Sequence, residues 1–221
     1  MLSYTEENYL KAIYHLSESG SKAVLTNEIA ESMNTKAASV TDMIKKLSGK
    51  HLISYEKYYG VKITRQGKNE ALMVIRKHRL WETFLVQKLQ FHWDEVHDVA
   101  EQLEHIQSPL LIEKLDAFLE FPVVDPHGHP IPDKNGKIME VRQIPLTECS
   151  GKKKVVVRSV RDVKDGSPSL LQYLDKIGVY IGATLNILEK VEFDGSLELM
   201  IDGKRKVFIS KDAAQNLLVT E

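Results

Sequence analysis

The residues best suited to metal chemistry lie in one short segment, His97-Asp-Val-Ala-Glu-Gln-Leu-Glu-His105. In a helix, which turns about 100° per residue, His97, Glu101, Glu104 and His105 would fall within an arc of about 100°. Two imidazoles and two carboxylates on such a stripe would repel one another or lack partners if they were buried without a cation. Because neutral imidazole and ionised carboxylate are good ligands for divalent metals, the segment predicts a metal site.

A second pair of candidate ligands lies on the helix predicted before this segment. His78 and Glu82 are four residues apart, so they share a helical face. For any single His or Glu, a solvated charge on a surface helix is the simpler interpretation. Six such residues on two neighbouring helices favour a metal site over that interpretation.

Three short helices are predicted at the start of the chain: Glu6 to Ser17 with Thr5 as N-cap, Asn27 to Met33, and Ala37 to Leu47. Apolar residues recur at helical spacing in each of them. A tight turn joins the second and third helices, and the third is polar and basic on its outer face. This is the helix-turn-helix pattern of DNA-binding proteins, although short helices of this kind also pack in other all-α domains.

A wing is predicted after the third helix, with a strand from His51 to Tyr59, a turn at Gly60 and a return strand from Val61 to Thr64. Eight basic and two acidic residues between Thr35 and Lys68 give this region a charge of +6. Five basic and nine acidic residues between Arg76 and Glu120 give that stretch a charge of −4. The split suggests one region for a polyanion and another for cations.

The outer face of the third helix is expected to read DNA bases, and basic side chains around it are expected to contact phosphates, which give affinity without sequence information. The candidates for base contacts are Lys36, Ser39, Thr41 and Asp42. The candidates for phosphate contacts are Lys45, Lys46 and, on the wing, Lys57 and Lys62.

The rest of the chain predicts a helical region, a linker and a β domain. A long helix from Gln66 to Leu89 has apolar faces wider than one small domain needs, which predicts a dimer interface. Two more helices follow, Trp93 to Ile106 and Ser108 to Glu120. Five prolines from Pro122 to Gly151 exclude regular helix. A small β-barrel is then predicted from four strands, with Asp202-Gly203 as a hairpin turn: Lys154 to Val160, Tyr180 to Val191, Ser196 to Ile201 and Lys204 to Ile209.

These elements predict a multidomain chain that is mainly α with a β C-terminal domain. The predicted boundaries are 1–72 for the winged helix-turn-helix DNA-binding domain and 73–121 for the helical dimerisation and metal-binding domain. The linker is predicted at 122–151 and the β-barrel at 152–221.

Composition argues against several classes of protein. No apolar run approaches the roughly 18 residues that a membrane span needs, and the start, MLSYTEENYLK, lacks the basic and apolar regions of a signal peptide. A cytoplasmic protein with no membrane partner is therefore expected. The one cysteine, Cys149, cannot form a disulfide within the chain and is interpreted as a free structural thiol.

From Tyr4 to Ser108 the chain resembles the diphtheria-toxin-repressor and manganese-transport-regulator family of metal-dependent repressors. The resemblance rests on the order and spacing of four segments: Thr5-Glu-Glu-Asn-Tyr-Leu-Lys-Ala-Ile-Tyr14, Arg76-Lys-His-Arg-Leu80, Val96-His-Asp98 and Glu104-His105. The Pro-rich linker and the β-barrel are similar to the SH3-like third domain of the family's longer members. The resemblance therefore covers nearly the full chain.

The resemblance implies two metal sites. The primary, activating site would use the residue at position 8 with Glu101, Glu104 and His105. The ancillary site would use His78, Glu82 and His97, with oxygen ligands at Asp162 and Asp165 of the barrel. In some members the linker completes a second site, and the matching positions here are Asp125 and His127, whereas the adjacent His129 matches no family ligand.

One position departs from the family pattern. Manganese-sensing members have Asp and iron-sensing members have Met where this chain has Asn8. The amide oxygen of Asn8 can ligate a hard ion, but without charge, so water would complete the site or its affinity would be weaker. The alternative is that Asn8 only hydrogen-bonds solvent.

The sequence thus predicts a metal-dependent repressor, a homodimer that binds a double-stranded DNA operator and controls metal-uptake genes. Oxygen ligands in the primary site favour Mn²⁺ as the cofactor, and Fe²⁺, in an iron-dependent repressor of the same family, is the alternative. A metal-dependent hydrolase could use the same residues around an open coordination position. The sequence contains no H-E-x-x-H, G-x-S-x-G or G-x-x-x-x-G-K-S/T pattern, so no enzymatic activity is expected. A metal-buffering protein with a solubilising basic region is a third class.

Overall fold

The structure is a computed structural model that describes residues 2–56, 58–139, 141–149, 154–161 and 168–220. It divides into two compact units, each built from separate stretches of the chain. The first unit contains residues 1–78, 101–113 and 132–138, and the second contains 79–100, 114–131 and 139–221. Within the described stretches, no helix combines the length and apolar character needed to cross a membrane.

The first unit begins with helix α1 (Tyr4–Leu16), whose start is fixed by a capping box. The Glu6 N–H donates to the Ser3 hydroxyl at 3.3 Å, and the Ser3 N–H donates to Glu6 Oε2 at 2.7 Å. The prediction of Thr5 as N-cap is therefore wrong. Ser3 takes this position because the box needs a Glu or Gln three residues after the cap, and Glu6 has that spacing.

Helices α2 (Thr26–Ser32) and α3 (Ala37–Gly49) form the predicted helix-turn-helix. Between them Asn34 adopts a φ of 46°, a left-handed conformation that asparagine tolerates better than most residues. The Thr35 N–H donates to the Ala30 carbonyl at 2.9 Å, which closes the turn. The turn thereby fixes the direction in which α3 leaves α2.

The wing pairs strand β1 (Ile53–Glu56) with strand β2 (Gly60–Ile63) in an antiparallel hairpin. The first strand is shorter than the predicted span from His51 to Tyr59, because the chain turns at Tyr58, where φ is 72°. At Gly60 an added Cβ would lie 2.5 Å from the Val24 carbonyl oxygen. Glycine at this position therefore lets the wing pair closely with Val24, two residues before α2.

Apolar side chains of α1, α2, α3, the wing and the start of helix α4 (Arg65–Leu89) form the core of the first unit. An added Cβ on Gly67 would lie 1.9 Å from the Leu52 carbonyl oxygen, so α4 begins close against the backbone that leads into the wing. The largest fully buried side chains of this core are Leu10, Ile13, Ile29 and Leu47. Burial of such side chains contributes about 1.5–3 kcal/mol each.

Two short helices follow α4: α5 (His97–Leu103) and α6 (Pro109–Phe118). The prediction of one helix from Trp93 to Ile106 is wrong at both ends. The chain forms a turn from Trp93 to Glu95 before α5, and Glu104 and His105 lie in the turn that follows it. The Trp93 indole N–H donates to Asp175 Oδ2 at 2.9 Å, which holds the first of these turns within the second unit.

Eight strands are described in all, and six of them form the C-terminal antiparallel sheet of the second unit. The strands are β3 (Ile144–Pro145), β4 (Lys154–Val160), β5 (Thr184–Lys190), β6 (Leu197–Ile201), β7 (Arg205–Ile209) and β8 (Leu217–Thr220), and their spatial order is β3-β8-β4-β5-β6-β7. Among the described residues the sheet is open between β7 and β3, whereas the sequence predicted a closed barrel. The predicted hairpin turn is confirmed, since Asp202 and Gly203 have φ values of 48° and 69°, the left-handed pair that a type I′ turn needs.

The sequence analysis missed five elements of the second unit: strands β3 and β8, helices α7 (Pro168–Ile177) and α8 (Lys211–Asn216), and a short 3-10 helix (Leu146–Glu148). β3 has two residues and ends in Pro145, so it offers no alternating pattern. β8 follows α8 directly, and no Gly or Pro separates them. The sheet, α7 and α8 together bury an apolar core that includes Leu146, Leu174 and Leu217.

The Pro-rich stretch after α6 forms no regular helix or strand between Leu119 and Gln143 among the described residues. The predicted linker at 122–151 extends beyond this stretch and includes β3 and the 3-10 helix. The stretch without regular helix or strand is nevertheless ordered by hydrogen bonds. In the first unit Arg76 Nη1 donates to the Pro132 carbonyl at 2.6 Å, and in the second unit Arg79 Nη1 donates to the Pro130 carbonyl at 2.5 Å. An added Cβ on Gly128 would lie 1.8 Å from the Arg158 carbonyl oxygen, so this loop lies against β4.

Glu6 links α1 to the end of α3. Its Oε1 lies 2.6 Å from Lys50 Nζ and 3.3 Å from Lys46 Nζ, and its side chain is buried. Burial opposes ionisation of Glu6, but the hydrogen bonds from Lys50, the Ser3 N–H and Lys46 outweigh it and lower the pKa of Glu6 to about 2. An ionised Glu6 therefore stabilises the folded first unit.

We predict that Glu6→Gln lowers the free energy of unfolding of the first unit by about 1 kcal/mol at neutral pH. The effect is kept this small because both lysines are partly exposed and solvent screens their charges. Because the folded pKa lies below the ordinary 4.5, this stabilisation is complete above about pH 5 and is lost as the pH falls towards 2. Hydrogen exchange of the α1 amides at pH 7 and pH 3 measures both effects. Glu18→Gln, which breaks an exposed pair with Lys22, is the control, and equal exchange in the two variants would contradict the prediction.

Candidate metal centre

The first cluster of candidate ligands lies within the first unit. Glu101 is on α5, Glu104 and His105 are in the turn after it, and His78 is on α4. His78 Nδ1 lies 2.6 Å from Glu104 Oε2, and His105 Nε2 lies 3.4 Å from Glu104 Oε1. One ligand atom from each of His78, Glu101 and Glu104 can be chosen so that all lie within 4.8 Å of one another. These three residues therefore have the spacing that a single ion needs.

Helix α1 brings Asn8 to the same unit. Its Oδ1 is buried and has no hydrogen-bond partner among the described residues, and the same is true of His105 Nε2. A buried polar atom without a partner is costly, and a cation that accepts lone pairs from both atoms would remove that cost. The donor set of carboxylate, amide oxygen and imidazole thus fits a divalent metal.

Glu7 positions His105 for such a role. Glu7 Oε2 lies 2.5 Å from His105 Nδ1, and Glu7 Oε1 accepts from Gln107 Nε2 at 3.0 Å and lies 3.4 Å from Lys77 Nζ. With Nδ1–H donating to Glu7, the lone pair of His105 is left on Nε2. A carboxylate behind a ligating imidazole fixes its tautomer and orientation in this way.

Glu104 is the most buried residue of the cluster, with 0% of its surface exposed. Burial opposes its ionisation, but the hydrogen bond from His78 and the charge of Lys11 outweigh burial and lower the pKa of Glu104. Lys11 Nζ lies 2.6 Å from Glu104 Oε1 and 2.5 Å from Glu101 Oε1. Lys11 therefore pairs with both carboxylates, and Glu104 is held ready as an anionic ligand.

The sequence analysis did not name Glu7 or Lys11. Both lie on the predicted first helix, about ninety or more positions before the residues that they contact. A single sequence carries no signal for such a pairing, because helical spacing relates residues only within one element.

We predict that Glu104→Gln removes one high-affinity Mn²⁺ from the binding stoichiometry of the chelator-stripped protein. The neutral amide keeps the shape of the side chain but loses the charge that pairs with a divalent ion. Isothermal titration calorimetry measures this loss. Glu113→Gln, which neutralises an exposed carboxylate on α6, is the control and should bind Mn²⁺ with the stoichiometry of the unaltered protein. An unchanged stoichiometry in Glu104→Gln would contradict the assignment of Glu104 as a ligand.

The second cluster lies within the second unit around Glu82 of α4. Glu82 Oε1 lies 3.7 Å from His97 Nδ1, and Glu82 Oε2 lies 3.6 Å from His127 Nδ1. The sequence prediction placed His97 on one stripe with Glu101, Glu104 and His105. In the structure His97 faces Glu82, because α5 begins at His97 and ends at Leu103, before Glu104 and His105.

Asp125 organises the linker end of this second cluster. Its Oδ1 accepts the N–H groups of His127 at 2.8 Å and His129 at 3.0 Å, and its Oδ2 lies 3.2 Å from His129 Nδ1. The Arg79 guanidinium lies 3.5 Å from the same Oδ2. One ligand atom from each of Asp125, His127 and His129 can lie within 4.8 Å of the others, so His129, which matched no family ligand, is part of the cluster.

His127 is buried between Glu82 and the Trp93 carbonyl, to which its Nε2 lies at 2.7 Å. Burial opposes protonation of His127, but Glu82, Asp125 and this carbonyl outweigh burial and raise its pKa to about 9. Near neutral pH His127 is therefore protonated. A metal ion would have to replace that proton before it could bind the imidazole.

We predict that Asp125→Ala lowers the free energy of unfolding of the second unit by about 2 kcal/mol, because the buried N–H groups of His127 and His129 lose their acceptor. Trp81 and Trp93 are the two tryptophans of the chain and belong to this unit, so urea unfolding followed by tryptophan fluorescence reports it. As the control, Asp194→Ala removes an exposed loop acceptor, for the N–H group of Ser196, from the same unit. Equal losses in the two variants would contradict the prediction.

Three candidate residues lie outside the described residues: Asp162, Asp165 and Lys57. The implied oxygen ligands from the β domain and one predicted phosphate contact of the wing therefore have no described geometry.

The remaining candidate DNA contacts lie at the surface of the first unit. The predicted base-contacting residues Lys36, Ser39, Thr41 and Asp42 are exposed on α3 or at its start, and Lys45, Lys46 and Lys62 are exposed as well. Two of them also have partners within the unit. Lys45 Nζ lies 3.2 Å from Asp42 Oδ1, and Lys46 Nζ lies 3.3 Å from Glu6 Oε1.

Three family models match consecutive parts of the chain. The N-terminal DNA-binding domain of iron-dependent repressors matches residues 1–61, their metal-binding and dimerisation domain matches residues 64–133, and the FeoA domain matches residues 144–221. A solved manganese-dependent transcriptional repressor in complex with manganese is 35% identical with a TM-score of 0.88, over 97% of this chain and 99% of that one. This chain belongs to the diphtheria-toxin-repressor family.

Other family members are similar over the same length. The manganese regulator SloR is 34% identical over 98% of each chain with a TM-score of 0.73. The iron-dependent repressor IdeR of Mycobacterium leprae is 28% identical over 97% of this chain and 96% of its own length. The family consists of metal-dependent DNA-binding transcriptional repressors rather than enzymes, so the predicted function class is confirmed and the hydrolase alternative is excluded.

Proposed function

We propose that the protein is a manganese-activated repressor that binds its DNA operator as a homodimer in the cytoplasm. The observation that carries the proposal is the first cluster, where Asn8 of the DNA-binding region and Glu101, Glu104 and His105 offer oxygen and imidazole ligands within one unit. Oxygen-rich sites suit Mn²⁺. The manganese-dependent relatives support the choice, and the iron-dependent relatives keep Fe²⁺ as the second candidate.

The primary set is proposed as Asn8, Glu101, Glu104 and His105, with His78 as a further imidazole beside Glu104. When bound, the metal would supply two positive charges that neutralise both carboxylates. Glu7 holds the His105 ring so that Nε2 carries its lone pair, and Asn8 contributes its amide oxygen from α1. The ligands come from α1 and from the α5 turn, so the filled site fixes α1 against that turn.

A second set is proposed around Glu82, His97 and His127, with Asp125 and His129 from the linker. The family resemblance also implies Asp162 and Asp165 of the β domain as oxygen ligands. His127 carries a proton at neutral pH, so this set binds metal more weakly as the pH falls.

DNA recognition is proposed for the exposed face of α3 and for the wing. Ser39, Thr41, Asp42 and Lys36 would reach base edges, and Lys45, Lys46, Lys57 and Lys62 would contact phosphates. Tyr58 and Tyr59 at the tip of the wing are exposed as well. Helix α1 connects this surface to the first cluster, because Glu6 of α1 pairs with Lys46 and Lys50 of the α3 end.

A homodimer is proposed because the second unit exposes apolar side chains on and near its helices, including Leu89, Phe118, Phe121 and Val123. A twofold dimer places two recognition helices about one DNA turn apart, roughly 34 Å. The domain boundaries 1–72, 73–121, 122–151 and 152–221 remain part of this proposal.

We expect DNA binding to require metal and Mn²⁺ to give the tightest complex. A mobility-shift titration with a fragment carrying the promoter of a metal-uptake gene should show at least about a hundredfold weaker binding in chelator than in saturating Mn²⁺, since a differential affinity of that size shifts a two-state equilibrium by about 3 kcal/mol. Thr41→Ala with Ser39→Ala should lose DNA binding but keep Mn²⁺ binding.

The controls separate the alternatives. Equal DNA binding with and without metal would refute metal activation, and no DNA binding under any condition would favour a metal buffer. Tighter binding with Fe²⁺ under anaerobic conditions than with Mn²⁺ would make the protein an iron-dependent repressor.

A further inference from the structure

The Lys11 ammonium contacts both carboxylates of the first cluster, those of Glu101 and Glu104. Lys11 Nζ lies 2.5 Å from Glu101 Oε1 and 2.6 Å from Glu104 Oε1, and the Lys11 side chain is 16% exposed. A lysine ammonium carries its charge on a flexible four-carbon stem. The positively charged Lys11 ammonium therefore contacts the same carboxylate oxygen atoms that are proposed above as metal ligands.

We propose that Lys11 is a tethered cation that competes with the metal for Glu101 and Glu104 and so sets the metal concentration at which the first cluster fills. The proposal rests on the proposed function, because it needs these carboxylates to be ligands. It adds that binding includes an exchange, in which the ammonium leaves as the divalent ion arrives.

Two physical reasons make the exchange necessary. A divalent metal bonds carboxylate oxygen at about 2.0–2.6 Å, so it needs the space and the lone pairs that the ammonium now uses. Two like charges within a few ångströms also repel strongly when they are partly buried. The ammonium and the metal therefore exclude each other at the same pair of oxygen atoms.

The position of Lys11 also explains why the carboxylates tolerate burial before metal binds. Glu104 is fully buried, and Glu101 and Glu104 converge on one point. A single positive charge balances one of the two carboxylates, whereas a divalent ion balances both. The ammonium can therefore hold the cluster together and still be displaced.

Lys11 can leave because its stem lies on α1 and part of the side chain already reaches solvent. The ammonium needs only rotations about its four side-chain bonds to move from the carboxylates to water, while α1 stays in place. Displacement thus needs no unfolding of the helix that also carries Asn8.

The first test is the Mn²⁺ affinity of Lys11→Met, which keeps most of the stem and removes the charge. In calorimetric titration of the full chain, we expect a dissociation constant at least about tenfold lower than in the unaltered protein, which is about 1.4 kcal/mol. Without metal the variant should also melt at a lower temperature, because the carboxylates lose their counter-charge, and saturating Mn²⁺ should abolish this difference. A purely structural salt bridge predicts the lower melting temperature without tighter metal binding.

Two variants serve as controls. Lys50→Met removes an ammonium that lies 2.6 Å from Glu6 outside the cluster, and it should leave the Mn²⁺ affinity unchanged. Lys11→Arg keeps the charge, and it should bind Mn²⁺ no more tightly than the unaltered protein.

The second test measures the displacement directly. Amine acetylation followed by mass spectrometry should show Lys11 reacting at least about threefold faster in saturating Mn²⁺ than in chelator, since its ammonium then faces water, while Lys50 reacts equally in both. Equal Lys11 reactivity in the two states, or an unchanged or weaker Mn²⁺ affinity in Lys11→Met, would overturn the proposal.

The Glu104→Gln variant separates the two possible failures. If Glu104→Gln loses one Mn²⁺ and Lys11→Met gains no affinity, the metal site stands and competition by Lys11 is wrong. If Glu104→Gln loses no Mn²⁺, the assignment of the first cluster as a metal site is wrong, and the proposal for Lys11 is wrong as well.

Discussion

The first unit depends on how the negative charge of one buried carboxylate, that of Glu104, is balanced. Glu104 has no exposed surface, and an unpaired ionised carboxylate in that position would cost several kcal/mol. Its partners come from separate parts of the chain: His78 from α4, Lys11 from α1 and the neighbouring His105 from the same turn. Because these contacts join segments far apart in sequence, the charge of Glu104 holds together the elements that form the candidate metal centre.

Helix α1 connects that centre to the end of α3, the helix that carries the proposed DNA contacts. Near its start Glu6 pairs with the end of α3, and five residues later Lys11 contacts Glu101 and Glu104 of the first cluster. With a rise of about 1.5 Å per residue, these groups lie within about 8 Å along the helix axis. Helix α1 therefore carries its contacts to the end of α3 and its contacts to the first cluster within less than two turns.

The sequence predicted the elements whose patterns are local. Helix periodicity located α1 to α4 and α6, and the Asp202-Gly203 turn located the β6–β7 hairpin. Predictions failed where a distant contact decides the structure. The Trp93 turn is held by Asp175, and β3 is defined by its pairing with β8 rather than by its own two residues.

The same distinction holds for the candidate centre. Residue chemistry and helical spacing were enough to name His78, Glu82, Glu101 and Glu104. The stripe argument grouped His97 with them, because it assumed one continuous helix, whereas α5 ends at Leu103. Glu7 and Lys11 could not be predicted, since each depends on a contact between elements far apart in sequence. His129 lies only four residues after Asp125, so the signal that was missed is the local spacing Asp-x-His-x-His.

A different cation must leave each of the two proposed clusters before a metal can bind. The first offers mainly oxygen ligands, and the cation to be displaced there is the Lys11 ammonium, which leaves with its proton. The second offers imidazoles around Glu82 and Asp125, and there the His127 proton must be released, because the pKa of His127 is raised to about 9. Metal binding at the second cluster therefore weakens as the pH falls below about 9. Nitrogen-rich ligands also favour metals later in the divalent series than oxygen-rich ligands do. We therefore propose the first cluster, rather than the second, as the site that senses a hard ion such as Mn²⁺.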